Sequence, residues 1–224
     1  MNLQVTADKR ILLIVNSLAE HGDRRLHRLY RFVESAGVET AKHFLNPYYD
    51  KIIVLRDQRA TYAAFKSQLI MAASDLHTGA FDLFLQLHGE KKRLHFYDCW
   101  ISTAQIAEDL RAHSGRNVLR LLYNLSCYGD THSPDLLQAG FRVAIGSRLV
   151  NANAATEYPR FCRLWPGKGS GGREPITAAE LIKKADRPLP RKVADLLARR
   201  YFREVDSKKY LRGNGNITIE SMPD

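Results

Sequence analysis

Two near-continuous apolar runs constrain this chain most: "FDLFLQL" at 81–87 and "VLRLLYNL" at 118–125. A strand with one wet face alternates apolar and polar residues; a run apolar at nearly every position suits a strand covered on both faces. Shorter β-branched-rich runs occur at Ile11–Val15, Ile52–Leu55 and Phe141–Ile145. Helical patterns separate them. Leu26, Leu29, Tyr30 and Val33 share one face of a predicted helix over 21–36, and 59–77 is amphipathic and rich in good helix formers. Strands alternating with helices imply βαβ crossovers and a mostly parallel sheet. The expected fold class is α/β: a three-layer α/β/α sandwich of about 170 residues.

"RLHFYD" at 93–98 alternates and predicts part of a hairpin, and Ser102 is placed to N-cap a helix running to His113. After Ile145 the pattern turns helical, with helices at 177–185 and 190–203 and then a polar tail. "PGKGSGGREP" at 166–175 reads as a flexible loop. Its glycines resemble a phosphate loop only in composition, because Gly167-Lys168 is followed by Gly169 rather than Ser or Thr. The expected organisation is one domain over 1–186 and a basic helical extension over 187–224.

With 45% hydrophobic residues the chain can bury a sizeable core without disulfides or metal. Its cysteines, Cys99, Cys127 and Cys162, include no C-x-x-C pair. A structural zinc site is therefore not expected, and a reducing, cytoplasmic setting is. The apolar run near the N-terminus is too short for a signal-peptide core or a membrane span. Net charge is +10, and residues 183–212 hold eleven Lys/Arg against four Asp/Glu. That excess reads first as a solvated helical face, with nucleic acid or an acidic protein left open as partners and no membrane expected.

The two long runs end in reactive residues. The first stops at His88-Gly89 and the second at Ser126-Cys127, 39 positions later. In open α/β sheets, sites form beyond the carboxyl ends of strands. Neighbouring strands lie about 4.8 Å apart, so if these two are adjacent, an imidazole and a thiol emerge on one sheet edge. An ordinary thiol is mostly protonated at neutral pH, and a nearby imidazole can take its proton and later protonate a leaving amine. Gly89 and Cys127 can offer backbone N–H groups to an oxyanion.

His132 competes as the base, but Ser133 as N-cap and Pro134 at the first helical position explain its segment as a helix start. A phosphatase loop would need Arg at 133, where Ser133 stands. A nucleophile elbow wants a small residue where Leu125 stands.

The combination "LFLQLHG … LLYNLSC" resembles the caspase-like cysteine peptidases, a group that includes caspases, metacaspases, gingipains, legumains, separase and bacterial CHAT-domain proteases. "KRLHFYDCWISTAQIAEDL" is similar to the hairpin and helix between the two motifs. "LLQAGFRVAIGSRLVNANAATEYPRFCRLW", with Gly140, Val143 and Gly146, is similar to the CHAT branch. The resemblance covers about residues 10–186. It implies a Cys127 nucleophile, a His88 acid/base, a protein or peptide substrate, and no metal or organic cofactor. It also implies a cleft built from the loops after the strands, where Arg148 and Asp98 are pocket candidates and Lys91, Lys92 and Arg93 add positive charge. Leu125-Ser126-Cys127 replaces the caspase Gln-Ala-Cys, which argues against a caspase in the narrow sense. Asn124 and Ser126 are neutral where metacaspases often carry an acid. The rivals are a catalytically silent scaffold of this fold and a basic module that binds nucleic acid or an acidic protein.

Overall fold

The computed structural model describes residues 4–113, 117–167 and 175–223. Along the chain come β1 (Arg10–Asn16), α1 (Leu18–His21), α2 (His27–Leu45), β2 (Lys51–Arg56), α3 (Tyr62–Ser74) and β3 (Ala80–Gln86). Then come β4 (His88–Glu90), β5 (Arg93–His95), β6 (Trp100–Ser102), α4 (Thr103–His113), β7 (Leu119–Asn124), α5 (Gly129–Gln138) and β8 (Val143–Ser147). The chain continues through α6 (Ala154–Leu164), α7 (Ala178–Ala185), α8 (Pro188–Ala198) and β9 (Lys209–Gly213).

The main sheet has the order β2-β1-β3-β7-β8-β9. Its first five strands are parallel and β9 runs antiparallel to β8. A separate antiparallel sheet, β4-β5-β6, contains the predicted hairpin. Ser102 caps α4 as its sequence implies, its Oγ accepting the Gln105 N–H at 3.1 Å.

Successive strand residues point to opposite faces. Leu13 and Val15 therefore join a core with α3, α4 and α5, while Leu12 and Ile14 join one with α2, α6 and α7. This is an α/β/α sandwich with its central strands buried on both faces. Among the described residues no helix is long and apolar enough to cross a membrane.

Each long apolar run hides one charge. Asp82 and Arg120 have fully buried side chains and form a two-pronged pair, with Nε–Oδ1 at 2.9 Å and Nη2–Oδ2 at 2.7 Å. The β3–β7 register shifts here, and Asp82 Oδ1 also accepts the Leu121 N–H at 3.1 Å. Tyr49 donates to Asp82 and Trp165 to Tyr49. The remaining Arg120 donors reach the Ile219 and Ser221 carbonyls. A buried pair survives only when its other donors and acceptors are also satisfied, and here the C-terminal segment satisfies them.

Three sequence expectations differ from the structure, and a fourth falls mostly outside the described residues. The first long helix begins at His27 and runs to Leu45. It buries Glu34, Gly37, Val38, Ala41 and Leu45 and leaves Leu29 exposed. Small residues draw it close to the sheet: a Cβ at Gly37 would lie 2.8 Å from the Gln86 amide. The polar tail contains β9, which pairs along the whole of β8 and sends Ile217 and Ile219 into the core beyond it. Helix α5 starts at Gly129, so Ser133 and Pro134 lie inside it and Ser133 bonds back to the Gly129 carbonyl at 3.3 Å instead of capping. Most of the predicted 166–175 loop, residues 168–174, lies outside the described residues.

Candidate active site

β3 and β7 are parallel neighbours, and a Leu125 N–H to Leu85 carbonyl bond of 2.9 Å holds their ends together. One residue beyond β3 the chain enters β4 at His88. Beyond β7 it runs through Leu125-Ser126-Cys127 into Tyr128, whose φ of 58° is left-handed. A non-glycine residue there is uncommon and strained. The turn is held by Tyr128 N–H to the Leu149 carbonyl at 3.0 Å and by Thr131, whose N–H and Oγ both bond the Tyr128 carbonyl. Helix α5 then starts at once, leaving Cys127 at the tip of a strand–turn–helix junction.

His88 is partly buried. Its Nε2 lies 2.7 Å from the Leu18 carbonyl, and the Tyr30 ring meets it edge-on at 5.2 Å. A carbonyl only accepts, so Nε2 carries the hydrogen and Nδ1 of the neutral ring keeps a free lone pair. Burial lowers the His88 pKa from 6.5, against the opposing effect of the Leu18 carbonyl; nearby His21 lowers it further. Tyr30 also senses Cys127: its hydroxyl is pushed up to about 12, first by burial and then by the sulfur.

The thiol is partly buried. Burial raises its pKa above 9.0, opposed by the Asn151 backbone, the Lys209 ammonium and its own N–H. Lys209, on β9, is fully buried beside Glu157 at 3.6 Å. Both shifts favour the uncharged form of the group, the imidazole by its lowered pKa and the thiol by its raised one.

The two loops interlock through contacts that the sequence does not record. A Cβ on Gly89 would lie 2.4 Å from the Cys127 carbonyl oxygen, 3.0 Å from Ser126 Cβ and 3.1 Å from His132 Cε1, so only glycine fits. His132 is fully buried. Its Nδ1 meets the Asn124 side-chain amide at 2.9 Å and its Nε2 meets the Glu90 carbonyl at 2.6 Å. Asn124 Oδ1 in turn accepts the Ser126 N–H at 3.0 Å. His132 therefore ties the His-Gly strand to the cysteine turn, a structural crosslink. Sequence offered no signal for the contacts of Leu18 and Tyr30 with His88, because each joins segments far apart in the chain.

The pocket candidates are already engaged. Arg148 lies 3.4 Å from Asp130, which Arg212 also grips at 2.6 and 2.9 Å, and its guanidinium sits 4.1 Å from the Tyr210 ring centre. Its side chain is still 57% exposed. Asp98 accepts the Tyr62 N–H at 2.9 Å, satisfying a donor in the first turn of α3. Lys91 faces the Tyr128 ring at 6.0 Å, and Arg93 stacks over Trp100 at 5.0 Å.

No protein-family model matches the sequence, and no curated protein does. The structure is similar to the crystal structure of the Drosophila initiator caspase Dronc, with a TM-score of 0.59 at 14% identity over 98% of this chain and 84% of that one. It also matches a secreted C11 cysteine protease from Bacteroides thetaiotaomicron, solved with an irreversible peptide inhibitor. There the TM-score is 0.44 at 13% identity over 68% of this chain and 53% of that one. The fold is caspase-like.

Proposed function

We propose that this caspase-like chain is a cysteine endopeptidase acting through Cys127 and His88. The observation that carries the reading is the His88 ring, anchored at Nε2 to Leu18, on the strand end beside the one that delivers Cys127. Nδ1 takes the Sγ proton as sulfur attacks the scissile carbonyl carbon. The developing oxyanion accepts the Gly89 and Cys127 N–H groups. His88 then gives its proton to the leaving amine as the C–N bond breaks, leaving a thioester on Cys127. Water, deprotonated by His88, cleaves the thioester and restores the thiol. The substrate is a protein or peptide, with an acidic segment favoured by the cations around the cleft.

A peptidyl electrophile with a thiol-reactive warhead tests this reading. Intact-mass and peptide mapping should place one adduct on Cys127, with Cys99 unlabelled and His88→Ala slowing labelling at least about a hundredfold. Equal labelling of the cysteines, or cleavage of a peptide library by Cys127→Ala at the wild-type rate, would refute it.

A further inference from the structure

A cavity of about 390 Å³ opens between α6, α2 and the joint of α7 and α8. Its wall includes Phe44, Asn153, Arg160, Arg163, Arg187 and Pro190, and none of its lining residues belongs to the candidate active site. Three arginines thus line one concavity, and no carboxylate residue is among its described lining residues. Neither Arg163 nor Arg187 has an ion-pair or side-chain hydrogen-bond partner among the described residues. Arg160 gives its Nε to the Lys184 carbonyl at 2.6 Å, which leaves its terminal nitrogens available.

Asn153 adds a further donor to the wall. Asn153 is buried, and its Oδ1 is occupied by the Thr156 hydroxyl, so its amide hydrogens are what it has left to offer. Burial, Arg187 and Arg163, in that order, lower the Arg160 pKa. Like charges gathered without a counter-ion repel, and an anion seated between them removes that penalty. Phe44 and Pro190 add an apolar wall.

We propose that this cavity binds a small phosphorylated ligand, its phosphate held by Arg160, Arg163 and Arg187 and its less polar body lying against Phe44 and Pro190. Guanidinium forks match phosphate oxygens in pairs, which a carboxylate-free wall favours. The volume suits a ligand of mononucleotide size, at the lower end of the roughly 300–1,000 Å³ typical of ligand pockets. Because Arg160 and Arg163 lie on α6 and Arg187 precedes α8, an occupant would link these helices.

Isothermal titration calorimetry of the full chain with AMP, and with adenosine as the phosphate-free control, tests the proposal. It is independent of peptidase activity. One AMP site per chain is expected, with adenosine at least about tenfold weaker. Arg163→Gln with Arg187→Gln, both exposed and therefore compatible with the fold, should weaken AMP at least about tenfold. No binding of AMP at millimolar concentration, equal affinity for adenosine, or unchanged affinity in the double variant would overturn it.

Discussion

The His88 ring donates through Nε2 to the Leu18 carbonyl at 2.7 Å, which ties the candidate base to the segment that follows the first strand. The proposed mechanism requires His88 neutral and Cys127 protonated at rest. The His88 pKa lies below 6.5 and that of Cys127 above 9.0. Activity should therefore fall as pH drops through the lowered histidine value, and fall again only when the thiol ionises. The profile of kcat/KM should be a broad plateau with its acid limb below 6.5. An acid limb centred at 7 or above would show that the site does not lower the histidine pKa.

Gly89→Ala places a methyl 2.4 Å from the Cys127 carbonyl oxygen, against backbone that cannot swing aside. Activity should drop at least about a hundredfold, the scale of losing an oxyanion donor. Far-ultraviolet circular dichroism should remain near wild type. Retention of half the wild-type kcat would show that the two loops can part freely.

His132→Ala strands the Asn124 amide and the Glu90 carbonyl. Urea unfolding should show a loss of about 2–4 kcal/mol, from two unsatisfied polar groups and the space left behind. His132→Gln can accept from Asn124 and donate to Glu90, so it should recover much of that loss. Because His132 is buried and holds the turn in the proposed mechanism, kcat should fall more than KM rises in the alanine variant. If alanine and glutamine behave alike, the crosslink contributes nothing through its hydrogen bonds.

Asp82→Ala leaves Arg120 charged and uncompensated in the sheet. A loss of about 3–5 kcal/mol is expected by denaturant titration. Replacing both partners, Asp82→Leu with Arg120→Met, should cost less than Asp82→Ala alone, because no buried charge remains. Additive losses would show that the pair is not energetically coupled.

Lys91 and Lys92 are exposed, whereas Arg148 is shared with Asp130 and Tyr210. Acidic peptides should be cut faster than matched basic ones at low salt. The difference should vanish near 1 M, where the Debye length is about 3 Å. Charge reversal at Lys91 and Lys92 should invert the preference, while Arg148→Met should only reduce it. Faster cleavage of basic peptides by the wild type at low salt would point to an acidic pocket instead.

The chain's periodicity by itself determined the layers and placed the two motifs. Runs apolar at nearly every position have to be covered on both faces, and runs of this length alternating with helices leave little but a parallel sheet between helical layers. His88 and Cys127 were legible for the same reason: each stands where such a run stops. Tertiary structure alone decided what surrounds them. Gly37 and Ala41 belong to the buried stripe of α2 yet carry little apolar signal, because close approach to the sheet depends on small size as much as on hydrophobicity. β9 reads as a polar tail because an edge strand gains much of its stability from backbone bonds to β8, which side-chain patterning does not record. Asp82 and Arg120 are separated by 38 positions, and Leu18 and His88 by 70. Such partners meet only once the sheet has formed, since a hydrogen bond depends on distance in space and leaves no local mark on the chain.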